Sequence, residues 1–144
     1  MENGEISARR ISTSSQWDGD HAAEQGRLHF QKSGAKQGAW SAGKNDLEQW
    51  LQIDLESQFT RVTGVATQGR NGRYSQWVRR YKLQYSNNGE NFQCYKEQGQ
   101  STVKVKKRLS SLLYTVSLHP GVLMNTVDIL LVWQPGHGLA IYCQ

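Results

Sequence analysis

Three runs of alternating side chains in the middle of the chain constrain its fold most strongly. They cover residues 49–55, 61–69 and 77–85 and are rich in β-branched and aromatic residues. A period of two with this composition is typical of half-buried strands, because successive side chains of a strand point to opposite faces. An Asn-Gly step at residues 88–89 then predicts a hairpin, whose return strand starts within residues 92–95. We therefore expect three to four antiparallel strands in one sheet, with an apolar face that needs a second layer.

The alternation also identifies candidate core residues. Leu51 and Ile53, for example, fall on the opposite face of their strand from Trp50. Trp40, Trp50 and Trp77 are interpreted as structural, since the strand pattern accounts for them. Helix is expected in less than about a tenth of the chain, well below the usual share. The side chains predicted to be largely buried are Leu51, Ile53, Leu55, Val65, Trp77, Tyr81 and Leu83.

Length and composition fit one globular domain over residues 1–144. Hydrophobic residues make up 37% of the chain and aromatic residues 10%, which excludes a disordered composition. No apolar run approaches the ~18 residues that a membrane helix needs. Residues 1–5 are polar and acidic, so they are not expected to be a signal peptide. The net charge of +5 fits solubility alone or an anionic partner such as acidic lipid, sulfated glycan or nucleic acid.

The same central stretch resembles the discoidin domain, also called the coagulation factor 5/8 type C domain. The matching blocks occur in the family's order and spacing, at residues 50–55, 62–69, 77–78 and 81–86. The resemblance is strong for residues 1–100 and patchy for residues 101–144. It implies an all-β fold, an eight-stranded jelly-roll β-sandwich of the galactose-binding-domain-like type, that binds its ligand through loops at one end.

The resemblance also carries expectations about location and cysteines. The family is usually extracellular, so a place outside the cell or at its surface, as part of a longer protein, is expected. The chain starts just after the Cys and Pro-Leu-Gly step with which members commonly open. We interpret it as a fragment, or as a gene product that lacks an upstream exon. Cys143 stands where the family's terminal disulfide partner lies, Cys94 is interpreted as a buried hydrophobe, and a bond between the two is an open alternative.

The last third of the chain departs from the family pattern, which indicates a divergent exon or an altered reading frame. Residues 127–132 and 139–143 still alternate well enough to form two strands that close the sandwich. The first of these strands contains an unusually apolar run at residues 129–132. At the edge of a sheet, such a run would be an aggregation hazard.

Three turn-rich segments match the loops that family members project from one end of the sandwich. They cover residues 16–21, 29–38 and 69–75. Their aromatic and basic side chains suit a ligand that combines an apolar face with negative charge. The predicted ligand-binding residues are Trp17, Phe30, Lys32, Lys36, Arg70, Asn71, Arg73 and Tyr74.

Several of these assignments have a plainer alternative. Trp17 could simply cap the core, and Arg70 and Arg73 could be solvated side chains next to glycine. Asp18 and Asp20 are weak candidates for a calcium site, since hard cations take carboxylate oxygens. Apart from calcium, no cofactor or metal is expected.

The sequence favours a non-enzymatic binding or adhesion module. The four histidines are scattered, no pair has metal-ligand spacing, and no nucleophile elbow or phosphate loop occurs. Only the net positive charge of the chain would favour nucleic-acid binding, which is therefore not expected. The loops are short and mostly polar with isolated aromatic residues, which favours a cell-surface glycan or protein over membrane insertion. An anionic phospholipid such as phosphatidylserine is the alternative ligand.

Overall fold

In a computed structural model, the chain forms short strands that assemble into two main sheets. The structure describes residues 5–55, 60–62, 64–71, 73, 76–78, 80–95, 114–117, 123–124, 126–132 and 138–143. Within these ranges, helix is limited to three 3-10 turns, and none of them is long and apolar enough to cross a membrane. The turns are η1 (Ala8–Arg10), η2 (Gly19–His21) and η3 (Ala23–Gly26).

Strands form within each alternating run, although the second run is divided between two strands, Thr60–Arg61 and Gly64–Gln68. The third run is an exception at its start, because its strand begins at Arg80 and not at Trp77. Short ladders such as the two-residue pair β4 and β9 raise the number of strands in the described ranges above the eight expected. The strands are β1 (Ile11–Thr13), β2 (Trp40–Ser41), β3 (Gln49–Asp54), β4 (Thr60–Arg61), β5 (Gly64–Gln68), β6 (Arg80–Ser86), β7 (Gln93–Cys94), β8 (Tyr114–Ser117), β9 (Leu123–Met124), β10 (Thr126–Val132) and β11 (Gly138–Cys143).

One sheet has five strands in the order β1-β3-β10-β6-β7, and its pairs are antiparallel. β10 pairs with β3 on one side and with β6 on the other, so Val127 lies opposite both Ile53 and Tyr85. The expectation that the three central runs share one sheet is therefore wrong. A strand from late in the chain fills the place between β3 and β6 and satisfies the backbone groups of both, while β5 joins the opposite sheet.

The other main sheet has four strands in the order β2-β11-β5-β8. Both late strands, β10 and β11, hold central positions, as expected for strands that close the sandwich. The apolar run at residues 129–132 thus lies in a strand with partners on both sides. The aggregation hazard of an edge position does not arise for this strand.

The core lies between the two sheets and contains side chains from both. Five of the predicted core residues are buried, each with at most 3% of its surface exposed. They are Leu51 and Ile53 of β3, Val65 of β5, and Tyr81 and Leu83 of β6. Trp40 is also buried, as its structural interpretation requires, and its indole N–H donates to the Ser15 carbonyl at 2.9 Å.

Two predicted core residues are less buried than expected. Leu55 and Trp77 are both partly exposed. Leu55 directly follows the end of β3 at Asp54, and Trp77 precedes the start of β6 at Arg80. Inward and outward side chains alternate strictly only inside a strand, so the pattern overestimates burial just beyond its ends.

β3 and β5 differ in how much of their surface is covered. In β3, the buried Leu51 alternates with the partly exposed Trp50, as predicted for a half-buried strand. In β5, the successive residues Val65, Ala66 and Thr67 are all buried, at 0%, 2% and 7% exposure. β5 is therefore covered on both faces, which its alternating sequence did not indicate.

The Asn-Gly step forms the predicted turn between β6 and β7. Gly89 has a φ of 74°, in the left-handed region that glycine adopts without strain. The Ser86 hydroxyl accepts a hydrogen bond from the Gly89 amide at 3.0 Å. The Asn88 side-chain oxygen accepts from the amides of Glu90 and Asn91 at 3.1 and 2.9 Å. The side chains of the turn thus satisfy its backbone donors and confirm the hairpin.

Cys94 is a free, partly buried cysteine in β7. Its sulfur accepts a hydrogen bond from the Gln84 side-chain amide at 3.4 Å. Cys143 ends β11, which belongs to the other sheet. Because Cys94 is free, the alternative of a Cys94–Cys143 disulfide is not realised.

Candidate functional site

Three loops come together beside the sheets, and we call them the loop cluster. Loop 1 covers residues 16–21, loop 2 covers residues 29–38, and loop 3 covers residues 69–76, of which 69–71, 73 and 76 are described. Loop 1 is attached to β2, because the Trp17 amide donates to the Ser41 carbonyl at 2.8 Å. These loops carry the residues that the sequence assigns to ligand binding.

Loops 1 and 2 are joined through Gln25, which lies in η3. Gln25 is 0% exposed, and its side-chain amide nitrogen donates to the Gly19 carbonyl in loop 1 at 3.3 Å. Its side-chain oxygen accepts from the Gln37 amide in loop 2 at 3.1 Å. The same Gln37 amide also donates to the Asp20 carbonyl at 2.8 Å. A buried amide is costly unless both of its ends are bonded, and here each end holds a different loop.

Loops 2 and 3 touch through their backbones. The Asn71 amide donates to the Gly38 carbonyl at 3.1 Å, and the two residues form an isolated β-bridge. A Cβ atom at Gly38 would lie 2.3 Å from the Asn71 carbonyl oxygen. This approach leaves no room for a side chain, so glycine is required at position 38.

Arg70 connects loops 2 and 3 through its side chain. Its Nη2 donates to the Gln37 side-chain oxygen in loop 2, and its Nη1 donates to the Gln76 side-chain oxygen in loop 3, both at 2.6 Å. The Arg70 amide also donates to the Gln76 carbonyl at 2.7 Å. Backbone and side chain of Arg70 therefore close the base of loop 3 and fasten it to loop 2.

A tight turn at residues 33–36 lies within loop 2, and the exposed lysines Lys32 and Lys36 stand beside and in it. Ser33 and Lys36 exchange amide-to-carbonyl hydrogen bonds, both at 3.1 Å. Gly34 within the turn has a φ of 58°, a conformation that favours glycine. His29 at the start of the loop has a φ of 57°, and its amide donates to the Gln68 side-chain oxygen at 3.0 Å. A non-glycine residue in this region is strained by about 1–3 kcal/mol, so its neighbours must hold it there.

The predicted ligand-binding residues fall into two groups. Trp17, Lys32, Lys36 and Arg73 are exposed, whereas Phe30, Arg70 and Asn71 are partly buried and Tyr74 lies outside the described residues. Trp17 is 65% exposed, so it does not cap the core. Hydrogen bonds join loop 1 to loop 2 and loop 2 to loop 3, and each loop carries at least one exposed side chain of the predicted set.

Asp18, one of the two calcium candidates, bonds to its own loop. Its Oδ1 lies 2.6 Å from His21 Nδ1 and accepts from the Asp20 amide at 2.9 Å. The hydrogen bond with the His21 side chain holds the pKa of Asp18 below its ordinary value. Within the described ranges, no three His, Cys, Asp or Glu side chains cluster as ligands for a metal ion. Calcium binding by Asp18 and Asp20 stays a prediction.

Sequence reasoning missed the glutamines that hold the loop cluster. Gln25, Gln37, Gln68 and Gln76 each accept a bond from a backbone amide or from Arg70. Glutamine has no periodicity or motif that marks such a role. Only burial and contacts across long sequence separations identify it.

The arrangement suits non-covalent recognition of a ligand. Exposed cations in loops 2 and 3 lie on a scaffold fixed by hydrogen bonds, and an exposed indole stands in loop 1. Rigid loops lower the entropy cost of binding, because less side-chain and backbone freedom is lost on contact with the ligand. The exposed side chains of the three loops therefore include an aromatic ring, positive charges and polar groups.

Comparisons with known proteins identify a family for this chain. The family model described as F5/8 type C domain matches residues 10–132. Neuropilin-1 of Xenopus laevis is 35% identical over 100 residues, which are 67% of this chain and 10% of that protein. The chain thus spans about a tenth of the length of this relative.

Two solved structures have a fold similar to that of this chain. The wild-type discoidin II of Dictyostelium discoideum has a TM-score of 0.78 at 22% identity, with 92% of this chain and 52% of that chain covered. The family 32 CBM from C. perfringens NanJ, solved in complex with galactose, has a TM-score of 0.68 at 18% identity, with 94% and 91% covered. At these identities the likeness shows the fold: a galactose-binding-like β-sandwich.

Proposed function

Because the chain belongs to the F5/8 type C domain family, we propose that it recognises a cell-surface carbohydrate through the loop cluster. Members of this family are binding modules, mostly without enzymatic activity. The proposed role is adhesion or recognition outside the cell, as one module of a larger protein. A protein that carries the glycan is the proposed partner.

The observation that carries the proposal is the exposed indole of Trp17 in a polar loop. The side chain is 65% exposed while the Trp17 amide is tied to Ser41. A flat aromatic ring with polar neighbours suits a sugar, which offers an apolar face rimmed by hydroxyl groups. A loop that inserts into a membrane needs more apolar area than one ring supplies.

The comparison with a carbohydrate-binding module supports a sugar as the ligand. The family 32 CBM from C. perfringens NanJ has a similar fold and was solved with galactose. A galactose-bearing glycan is therefore the first ligand to test on this chain. The Asn71 side chain lies in loop 3 and adds a polar group of the kind that orients sugar hydroxyls.

An anionic phospholipid is the second candidate, favoured by the exposed cations of the loop cluster. Lys32, Lys36 and Arg73 are exposed. Each basic residue near an anionic membrane surface contributes about 1 kcal/mol of attraction. Such binding would be mainly electrostatic and would weaken steeply with salt.

A glycan array beside phosphatidylserine vesicles tests the proposal with two matched variants. Trp17→Ala removes the exposed indole, and Leu47→Ala removes a side chain of similar exposure, 64%, that lies between β2 and β3 outside the loop cluster. Burial of a large side chain is worth about 1.5–3 kcal/mol, so Trp17→Ala should weaken glycan binding by roughly ten- to a hundredfold. Leu47→Ala should bind as the parent does.

Three outcomes would contradict the glycan proposal. One is binding to vesicles that exceeds binding to every glycan and is lost in high salt, which would favour the lipid headgroup. The second is vesicle binding that survives high salt, which would mean that apolar side chains insert. The third is glycan binding that Trp17→Ala weakens no more than the control Leu47→Ala does, which would place the site away from Trp17.

A further inference from the structure

Arg70 was assigned to ligand binding from the sequence, but its contacts indicate a different task. We propose that Arg70 and Gln25 are positioning residues. They fix the three loops relative to one another and affect ligand binding only through the positions of those loops. We call a residue with this role a strut. The inference rests on the proposed function, in which the loop cluster binds the ligand. It divides the basic residues of the cluster into one strut and three ligand-facing cations.

The geometry of Arg70 is that of a strut. Two different guanidinium nitrogens each bond a side-chain oxygen at 2.6 Å, one in Gln37 of loop 2 and one in Gln76 of loop 3. A guanidinium has a planar fork of donors, so it can hold two acceptors in fixed directions at once. The side chain is partly buried, unlike that of Arg73 in the same loop, which is exposed.

Gln25 repeats this arrangement between loops 1 and 2. Its amide group is completely buried and bonds Gly19 with the nitrogen and Gln37 with the oxygen. Gln37 is thus the point where both struts meet, because its backbone amide bonds Gln25 and its side chain bonds Arg70. Movement of loop 2 would break contacts to both other loops at once.

The remaining cations have the exposure that a ligand contact requires. Lys32, Lys36 and Arg73 are exposed, and none of the described ion pairs involves them. Their charge can therefore meet an anionic or hydroxyl-rich ligand without breaking a bond inside the protein. Arg70 would have to give up both Gln37 and Gln76 to do the same.

Residue-resolved amide exchange on the ligand-free protein tests the struts directly. Arg70→Met keeps the apolar stem without donors, Arg70→Lys keeps the charge without the fork, and Arg73→Met is the matched control in the same loop. Hydrogen bonds to charged groups stabilise the folded loops, so their loss should favour local opening. The Gln37 and Asn71 amides should therefore exchange about tenfold faster in both Arg70 variants. Exchange in Arg73→Met should equal that of the parent, and the Leu51 amide in β3 serves as internal reference for global unfolding.

Two further variants reach the same contacts from other residues. Gln37→Leu removes the acceptor and leaves Arg70 intact, so it should accelerate exchange of the Asn71 amide by a similar factor. Gln25→Met keeps the length of the buried side chain without its hydrogen bonds and should accelerate exchange of the Gln37 amide. If Arg70→Met does not fold, these two variants test whether the hydrogen bonds of Gln37 and Gln25 hold the loops.

Binding to a galactose-bearing neoglycoprotein and to phosphatidylserine vesicles separates position from charge. If Arg70 is a strut, Arg70→Lys should lose binding nearly as much as Arg70→Met, because lysine keeps the charge but lacks the fork of donors. Binding restored by Arg70→Lys, or loop amides that exchange at the parental rate in Arg70→Met, would overturn the inference. If the parent protein binds neither probe, the proposed function fails, and the exchange rates alone still confirm or refute the struts.

Discussion

β3 and loop 2 are held in place by different kinds of interaction. In β3, Leu51 and Ile53 are 0% exposed, and the strand is paired on both sides by β1 and β10. In loop 2, Gln37 connects to both loop 1 and loop 3 through hydrogen bonds of 2.6–3.1 Å, and Gly38 adds a backbone bond to Asn71 in loop 3. Apolar burial is non-directional and is shared over many contacts, whereas the loop depends on a few donors and acceptors at fixed positions. Changes in β3 should therefore alter global stability, and changes in the loop cluster should act locally.

The largest effect is expected for Leu51→Ala in β3. Truncation of a fully buried leucine leaves a cavity and costs about 2–5 kcal/mol of unfolding free energy. Urea unfolding measures this cost, with the exposed Leu47→Ala as the matched control at about 0.5 kcal/mol or less. A cost for Leu51→Ala as small as that of the control would show that β3 is not the centre of the core.

The next effect is expected where loops 2 and 3 touch. Gly38→Ala places a Cβ atom 2.3 Å from the Asn71 carbonyl oxygen, so one loop must shift. We expect the unfolding free energy to fall by about 1–3 kcal/mol, as is usual for overpacking, and the Asn71 amide to exchange faster. Gly19→Ala is the control, since a Cβ atom there meets nothing within 4 Å. Equal effects of the two substitutions would refute the close contact between the loops.

A pH titration tests the hydrogen bond within loop 1. The bond with the His21 side chain lowers the folded-state pKa of Asp18 below its ordinary value, so the ionised carboxylate stabilises the loop. A carboxyl group with a depressed pKa stabilises at pH above its unfolded value of about 3.9, and this stabilisation is lost as the pH falls through the folded pKa. NMR titration of the Asp18 carboxyl should show the depressed pKa, and His21→Ala should raise it. An unchanged Asp18 pKa in His21→Ala would rule out this cause.

The smallest effect on stability is expected for Trp17→Ala. With 65% of the side chain exposed, little packing is lost, and the unfolding free energy should change by less than about 0.5 kcal/mol. The same variant is expected to lower ligand binding strongly, which separates a recognition residue from a structural one. Urea unfolding measures the change in unfolding free energy. A decrease of several kcal/mol would mean that Trp17 packs in the core.

Much of the fold could be predicted from the sequence because strand formation is a local property. The alternation through Gln49–Asp54 predicted both the strand β3 and its buried face, and the Asn-Gly step predicted the turn before β7. The exposed aromatic and basic side chains of the loops were recognised for the same reason, since turn-rich segments lie on the surface. The prediction of burial was wrong for Leu55 and Trp77, which lie just outside the ends of β3 and β6.

The sequence by itself determined where strands and turns form, which side chains face inward within a strand, and, through its motif blocks, the family. Only the tertiary structure decided that β10 lies between β3 and β6, that β5 joins the other sheet, and that Arg70 and Gln25 fasten the loops. The physical reason is the range of the interactions. A period of two needs only neighbouring residues, whereas strand order and loop contacts join groups that are distant in the sequence, 74 positions apart at Ile53 and Val127 and 33 apart at Gln37 and Arg70.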